Sequence, residues 1–502
     1  MTDLRLTLVA TALLLAGCSM TPDYEVPQVA VGSVYLNASH AAGISEAKPE
    51  PGRLWWQQFN DPQLDRLVMA AQQQNIPIRM ASERIKAAQS YQTAVSSLKV
   101  PTIALNAGYV DMRLSQNGPL SGPAVAEFTL PPQLGGSSLS VLDRDNQAHL
   151  ASATIGWEAD LFGRIDALSQ AASIRVEQAE LLQRNLTTLI TAEVINNYLQ
   201  YRAAGERVAI TRQIIAEQQQ VLTLVQSLHH HGYGSELDLA NARAAQAATE
   251  AMLPMLDSAR AAHLGRLGIL LGESTTQTRN RLGEGALPQM SGLIPVGLPS
   301  ELLNRRFDIA LAEREMAARN QQLGAAIANR YPKLVLTGTP GVSASDLDDL
   351  LSSGSVGWSL GAGISWNLFD GGRGAAMVDL QQAGFRESAL AYQQVVNGAF
   401  NEVDTVLRAY ANSQQYQLLI ARADDQAKMA VDKATSLYRA GLENHLSVLN
   451  AQRVSNNLQD ARVQARLNTA TTVVLLHKAL GGEWRVPQDA PPEDEVLSRE
   501  AT

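Results

Sequence analysis

The sequence predicts an α+β membrane protein built as an internal tandem duplication, in which each half joins two short strands to a long helical hairpin. Three observations predict this fold: landmarks that recur in the same order in both halves, stretches in which apolar and polar residues alternate, and helical patterns longer than 60 residues. The composition agrees, because hydrophobic residues make up 45% of the 502 residues whereas aromatic residues make up only 5%. Such a balance is typical of extended helices rather than of thick globular cores.

The duplication is visible in three pairs of segments. Residues 155–164 read IGWEADLFGR and residues 364–373 read ISWNLFDGGR. Residues 232–243 (GYGSELDLANAR) and 441–452 (GLENHLSVLNAQ) share Gly, Leu, Asn and Ala in register, and the helical run before Pro101 matches the run before Pro332. Each half therefore follows the order helix, strand, strand, long helix, turn, long helix.

Alternation with a period of two identifies the strands. In the second half one face is apolar and consists of Leu360, Ala362, Ile364, Trp366 and Leu368. Residues 151–161 and 103–109 alternate in the same way in the first half. Such faces suit either a soluble sheet packed on a core or a sheet in a membrane. Aromatic residues near the strand ends, together with a loop rich in Gly, Pro and Ser between Tyr109 and Ala148, favour the membrane sheet.

Long helices follow the strands in both halves. The patterns over residues 166–228 and 373–440 keep apolar side chains at near-heptad spacing, which buries a seam against neighbouring helices. Return helices are predicted over residues 235–271 and 444–480, with a kink in the first of them at Pro254. Beyond the N-terminal leader no segment offers about 18 consecutive apolar residues, so a helical membrane span is not expected.

The strand count has a consequence for assembly. Bacterial outer-membrane barrels need at least about eight strands, and an open sheet in lipid leaves backbone groups unpaired at its edges. Four strands per chain therefore predict that several protomers share one barrel.

The N-terminus predicts a lipoprotein. A short apolar run from Leu6 ends in the letters LAGC at Cys18, which resembles the lipobox at which a signal peptide is removed and the Cys is lipidated. Cys18 is the only cysteine of the chain, so it cannot form an internal disulfide, and a buried thiol is the alternative interpretation. Among enteric lipoproteins an Asp at the next position resembles an inner-membrane retention signal, so Ser19 favours the outer membrane.

Several classes of function find no support in the sequence. The net charge of −9 and the absence of a Lys/Arg block give no footprint for nucleic acid. Motifs such as HExxH, GxSxG or a Walker Gly-Lys pair are absent, so an enzyme is not expected. Consecutive residues on a helix point about 100° apart, so His229, His230 and His231 indicate a solvated or interprotomer surface more than a metal site.

Motifs spread over nearly the whole chain resemble those of the TolC-like outer-membrane factors, in the lipoprotein branch that serves resistance-nodulation-division (RND) pumps. The motifs are the lipobox, PDY at residues 22–24, WW at 55–56, RRFDI at 305–309, YPKL at 331–334, WNLF at 366–369, residues 438–453 and KALGG at 478–482. Each motif alone is weak, and their order is specific.

The resemblance implies a trimer that shares a 12-stranded outer-membrane β-barrel, with four strands per protomer, continued by a long α-helical periplasmic barrel. It implies a periplasmic adaptor (a membrane fusion protein), an inner-membrane RND-type transporter and outer-membrane lipids as partners. Small toxic compounds would pass passively to the exterior, with no catalytic residue, no metal and no cofactor beyond the diacylglycerol and N-acyl groups on Cys18. An outer-membrane duct for type I protein secretion is the alternative.

The resemblance also implies a periplasmic gate. Leu446, Asn450 and Arg453 match positions that hold a gating Leu, Asp and Arg in relatives. Asn450 replaces the carboxylate, so the bond to Arg453 would lack ionic attraction, or another acid such as Glu443 would take its place. The alternative is that these residues only pack and cap the turn. Adaptor docking is expected at the hairpin tips, at Gly232, Gly234, Ser235, Gly441 and Leu442.

These expectations give six segments. They are a signal peptide (1–17), a lipidated segment with an equatorial belt (18–63), a first repeat (64–271), a linker (272–298), a second repeat (299–481) and a C-terminal tail predicted to be disordered (482–502).

Overall fold

The computed structural model describes residues 19–29, 32, 34–45, 54–119, 121–129, 138–139 and 141–482. The predicted signal peptide, the lipidation site Cys18 and residues 483–502 lie outside the described residues. Across the described residues, no helix combines the length and the apolar character needed to cross a membrane.

Helices dominate the chain, and their bounds confirm the long helical hairpins. The helices are α1 (Pro62–Gln74), α2 (Ile76–Ser96), α3 (Ser121–Val125), α4 (Arg164–His230), α5 (Glu236–Glu250), α6 (Met252–Leu271), α7 (Thr275–Leu282), α8 (Leu302–Arg305), α9 (Phe307–Ala328), α10 (Arg373–Arg439) and α11 (His445–Ala479). Both α4 and α10 contain 67 residues. The first return helix is interrupted at Ala251, close to Pro254, which has no N–H to donate to the carbonyl of Glu250.

The described residues cluster into two compact units. The first, here called the sheet unit, consists of the described residues within 19–25, Ala87–Val176 and Glu315–Ser388. The second, called the hairpin unit, consists of the described residues within Val26–Lys86, Glu177–Arg314 and 389–482.

An antiparallel sheet forms the centre of the sheet unit, and its strands lie side by side in the order in which they occur along the chain. Ten strands occur along the described chain: β1 (Ile44–Ser45), β2 (Thr102–Arg113), β3 (Phe128–Thr129), β4 (Ser138–Leu139), β5 (Asp145–Ala159), β6 (Ile294–Pro295), β7 (Lys333–Gly338), β8 (Gly341–Ala344), β9 (Val356–Gly357) and β10 (Leu360–Ser365). β5 pairs with β2 on one side and with β7 and β8 on the other, and β10 and β9 continue the sheet beyond β7 and β8. β7 with β8, and β9 with β10, are thus two interrupted strands, so each repeat contributes two strands as predicted.

The strand ends differ from the prediction in two places. β10 stops at Ser365, opposite Lys333, because the preceding partner residue is Pro332, which cannot donate a hydrogen bond to the ladder. Trp366 and Leu368 therefore follow the strand instead of belonging to it. The loop between the first two strands is also shorter than expected, because residues as far as Arg113 remain paired, and it contains α3 and the β3–β4 ladder.

Equivalent indole contacts occur in the two repeats. The Nε1 atom of Trp157 donates to the carbonyl of Lys99 at 3.1 Å, and the Nε1 atom of Trp366 donates to the carbonyl of Arg330 at 3.0 Å. In each case the Trp reaches the segment that links a helix to the first strand of its repeat. The aligned segments of the sequence therefore make the same long-range contact twice.

The segment that follows Cys18 is seated on the sheet unit. Asn320 on α9 donates its amide N–H to the carbonyl of Pro22 at 2.8 Å. Gly324, one helical turn further on, leaves no space for a side chain, because a Cβ atom there would lie 2.8 Å from the Cα atom of Thr21. The backbone of Thr21 and Pro22 thus lies directly against the surface of α9.

The core of the hairpin unit joins the N-terminal segment to the helices. Trp55 stacks on His477 with ring centroids 4.5 Å apart, and burial together with nearby Arg305 lowers the pKa of His477 to about 3. The hydroxyl of Tyr198 donates to the carboxylate of Asp61 at 2.5 Å, and Asp61 also caps the start of α1. These contacts bury the Trp-rich segment predicted as part of the belt.

Arg306, from the RRFDI motif, connects three helices of this unit. Its guanidinium donates to both carboxylate oxygens of Asp308 at 2.9 and 2.7 Å, to Glu402 on α10 at 2.7 Å and to the carbonyl of Ala479 at the end of α11 at 2.8 Å. The side chain is only 12% exposed. Arg306 of the motif thus links the start of α9 to α10 and to the end of α11.

Candidate gate and docking site

The tip of the first hairpin is a tight turn closed by its own backbone. α4 ends at His230, Gly232 adopts a φ of 78°, and the N–H groups of Tyr233 and Gly234 donate to the carbonyl of Leu228 at 2.9 and 3.1 Å. This left-handed ending of a helix favours glycine because it lacks a Cβ atom. Gly234 has a different reason to be small, since a Cβ atom there would lie 2.9 Å from the backbone nitrogen of His229.

The tip of the second hairpin repeats this design. Gly441 adopts a φ of 73°, and the N–H of Leu442 donates to the carbonyl of Leu437 at 2.9 Å. Asn444 then caps α11 by accepting from the N–H of Ser447, just as Ser235 caps α5 in a capping box. Gly232 and Gly441 both adopt positive φ, and the aligned sequences form equivalent turns.

Gly441→Ala should destabilise the second tip by about 1 kcal/mol, because a Cβ atom is unfavourable at positive φ although no atom lies close enough to obstruct it. Gly441→Asn should cost less, since Asn tolerates this conformation better. Local protease susceptibility of the tip would measure the effect, with Gly398→Ala, in the unobstructed interior of α10, as the control. Equal cleavage of the two Ala variants would contradict the role given to Gly441.

The three residues of the predicted gate share one face of α11. Leu446, Asn450 and Arg453 are spaced by four and three residues, and all three are exposed. Within the described part of the chain, neither the Asn450 amide nor the Arg453 guanidinium makes a hydrogen bond. Glu443, the alternative acid, instead accepts from the hydroxyl of Ser447 at 2.8 Å. The expected bond between Asn450 and Arg453 is therefore not formed inside one chain.

A cavity of about 550 Å³ lies beside this face. It is lined by Leu446, Asn450 and Arg453 on α11, by Thr211, Ile214 and Gln218 on α4, and by Asn241, Ala245 and Ala248 on α5. Leu446, Asn450 and Arg453 thus border a space between the two hairpins of one chain.

Ion pairs deeper in the hairpin unit hold the same two hairpins together. Arg207 on α4 donates to both carboxylate oxygens of Asp460 on α11, at 2.6 and 3.1 Å. Arg466 donates to Glu206 at 2.6 Å. These pairs were not foreseen from the sequence, because the partners lie more than 250 residues apart and no local spacing links them.

The three His residues at the first tip make separate contacts. His229 lies 3.2 Å from the carboxylate of Glu236, His231 contacts the carbonyl of Ser227 at 2.7 Å, and the rings of His230 and His231 meet edge to face. Among the described residues, no group of three or more His, Cys, Asp or Glu side chains is placed to hold a metal ion.

A fourth His at the tips was not singled out from the sequence. His445, the first residue of α11, is only 2% exposed. Its ring lies 5.7 Å from that of Tyr438, and its Nδ1 atom lies 3.9 Å from Asp238 on α5. No sequence signal marked it, because its equivalent in the first repeat is the exposed Glu236.

Comparisons with known proteins place this geometry among outer-membrane proteins. The family model described as outer membrane efflux protein matches residues 67–273 and 298–482. The solvent efflux pump outer membrane protein SrpC of Pseudomonas putida is 29% identical over 95% of this chain and 98% of its own length. The outer membrane protein OprJ of Pseudomonas aeruginosa is 31% identical over 94% of each chain. The solved structure of the outer-membrane channel OprN superimposes with a TM-score of 0.84 at 29% identity, covering 93% of this chain and all of OprN.

Proposed function

This chain belongs to the outer membrane efflux protein family, and from that premise we propose that it is the outer-membrane channel of a tripartite efflux pump. It conducts small toxic compounds passively to the exterior. The observation that carries the proposal is that the family match spans both repeats, and so includes all four strands and both hairpin tips. No residue is assigned a catalytic role, because the energy of transport comes from the inner-membrane partner.

The proposed assembly is a trimer in which twelve strands form one closed sheet across the outer membrane. In support, among the described strands β2 pairs only with β5 and β10 pairs only with β7, so one chain leaves two sheet edges without a partner. Side chains along these edge strands, such as Leu105 and Ile364, are exposed although they are apolar. A second and a third copy would pair the edges, and lipid would cover the apolar side chains.

We further propose that a lipid anchors the N-terminus of the mature chain. Removal of residues 1–17 would leave Cys18 with its diacylglycerol and N-acyl groups as the first residue of the mature protein. The contacts of Pro22 and Thr21 with α9 support this, because they fix the chain four residues beyond that Cys. We propose that the mature chain consists of the segments predicted from the sequence, which are 18–63, 64–271, 272–298, 299–481 and 482–502. The linker, residues 272–298, contains α7 and β6.

The tips are proposed as the gate and as the docking site. A periplasmic adaptor would contact the turns at Gly232, Gly234, Ser235, Gly441 and Leu442, and it would connect the channel to an RND-type transporter of the inner membrane. Leu446, Asn450 and Arg453 would close the tunnel mouth by meeting a neighbouring protomer. The exposed Asn450 and Arg453 support this, because their polar atoms remain available for bonds between chains.

Deletion of the gene tests the function. Loss of the channel should lower the minimum inhibitory concentration of some toxic compounds by about fourfold or more, and a plasmid copy should restore it. A panel of chemically diverse antibiotics, dyes and solvents is the measurement. A secreted-protein profile recorded in parallel would reveal the alternative of type I secretion. Unchanged susceptibility across the panel, combined with a lost secreted protein, would contradict the efflux proposal.

A further inference from the structure

His445 is a buried titratable side chain at the hairpin tips that the proposed gate does not use. It is the first residue of α11, directly after the cap Asn444. It is only 2% exposed, although it lies six residues after Arg439, the last residue of α10. Its neighbours come from both hairpins of the same chain, Tyr438 from α10 and Asp238 from α5.

The carboxylate opposite His445 is fixed in place. The Oδ2 atom of Asp238 accepts from the hydroxyl of Ser235 at 2.7 Å, and it also accepts from the backbone N–H of Ser235 as part of the capping box of α5. Its Oδ1 atom lies 3.9 Å from the Nδ1 atom of His445, which is too long for a hydrogen bond. Among the described residues, the Nδ1 atom of His445 has no hydrogen-bond partner. The contact between the tips therefore rests on a buried ring rather than on a formed ion pair.

The surroundings of the ring are mainly apolar. Tyr438 packs against a small cluster formed by Leu222, Val225, Leu239 and Ala242. Asp238 on α5 and the phenol of Tyr438 on α10 are the titratable groups that face His445 from the packed elements. Burial lowers the pKa of His445, and the negative charge of Asp238 only partly opposes this effect. A His with a lowered pKa binds a proton more weakly when buried, so protonation favours the arrangement in which the ring is exposed.

We propose that His445 positions the gate by joining the two hairpin tips of one protomer: as a neutral ring it holds the start of α11 against α5, and once protonated it leaves this contact. The tips then separate in acid, at a pH below about 6.5, which is the ordinary pKa of a His side chain. The separation of the tips is inferred from the geometry of one chain. Its effect on a tunnel mouth rests on the proposed function.

Distances between the tips provide the test. Nitroxide labels on Tyr233→Cys and Leu442→Cys, both at exposed turn positions, report the separation by electron spin resonance in the full chain in nanodiscs, with the label count checked by mass spectrometry. Between about pH 7.5 and about pH 5 the distances should lengthen by several ångströms. His445→Phe keeps an aromatic ring beside Tyr438 without a titratable group and should show the neutral-pH distances at both pH values. His445→Gln, smaller and also non-titrating, should behave in the same way.

Two further variants sharpen the test. His230→Phe removes an exposed His of the first tip and should leave the acid-induced change intact. Asp238→Asn should move the midpoint of the change to lower pH, because the carboxylate is the group that opposes the lowering of the pKa of His445. A role in packing alone would not move that midpoint.

Conductance in planar bilayers separates this inference from the proposed function. If the inference holds, acid should raise the single-channel conductance of the parent about twofold or more and leave His445→Phe unchanged. Distances that respond to pH only in chains with His445, in a protein without conductance, would sustain the inference and overturn the channel. A conducting protein whose label distances ignore pH, or respond equally in His445→Phe, would overturn the inference.

Discussion

Arg453→Ala should raise the single-channel conductance of the reconstituted protein several-fold. Arg453 lies with Leu446 and Asn450 on one exposed face of α11, and its guanidinium has no hydrogen bond in the described part of its own chain. In the proposed trimer its partners belong to the neighbouring protomer, so Ala removes bonds between chains without breaking any within one. The closed mouth should loosen while the hairpin keeps its fold.

Two variants complete this experiment. Arg439→Ala removes an exposed arginine at the end of α10 and should leave conductance near the parent value. Asn450→Asp restores a carboxylate close to Arg453, which adds a charge-assisted bond and should reduce conductance below that of the parent. A parent-like conductance of Arg453→Ala would remove this residue from the gate, and the interpretation that it only packs the turn would stand.

Arg306→Ala should lower the free energy of unfolding of the hairpin unit by about 2–4 kcal/mol, the second large effect expected here. The side chain is nearly buried and donates to Asp308, Glu402 and the carbonyl of Ala479, so three acceptors lose their donor at once. Arg306→Lys should recover only part of the loss, since an ammonium cannot reproduce the bidentate bond to Asp308. Thermal unfolding in detergent measures the effect.

Arg314→Ala is the matched control for Arg306→Ala. Arg314 pairs with Glu313 and Glu177, but its side chain is 37% exposed, so water screens both pairs. Its loss should cost less than about 1 kcal/mol. Similar melting temperatures for the two Ala variants would show that the contacts of Arg306 do not clamp the three helices.

Periodicity predicted most of the fold because the long elements carry a strong local signal. The 67-residue helices, the interruption before Pro254 and the two glycine turns all depend on residues close together in the sequence. α7 carried a comparable signal that was overlooked: Ser274 and Gln277 form a capping box with the S-x-x-Q spacing, inside the segment predicted as a linker. The helix was therefore predictable in principle.

The candidate site was predicted less completely than the fold, for a physical reason. The turns and the face that carries Leu446, Asn450 and Arg453 follow from local spacing on one helix. The burial of His445 and the pairing of Arg207 with Asp460 depend on which face of α11 meets the other hairpin. Pattern along one chain does not determine that pairing between distant helices, so these contacts became visible only in three dimensions.

The interruption at Ala251 gives the two duplicated hairpins different mechanical properties. The return helix of the second hairpin, α11, runs unbroken through 35 residues, whereas that of the first is divided into α5 and α6. A force on the second tip is therefore transmitted along one unbroken helix to Val474 and Leu476, which are buried in the core. A force on the first tip reaches the interruption at Ala251, where the helix lacks the backbone hydrogen bond that Pro254 cannot donate and is easier to bend. The two hairpins, whose sequences align, thus differ in how continuous their return helices are.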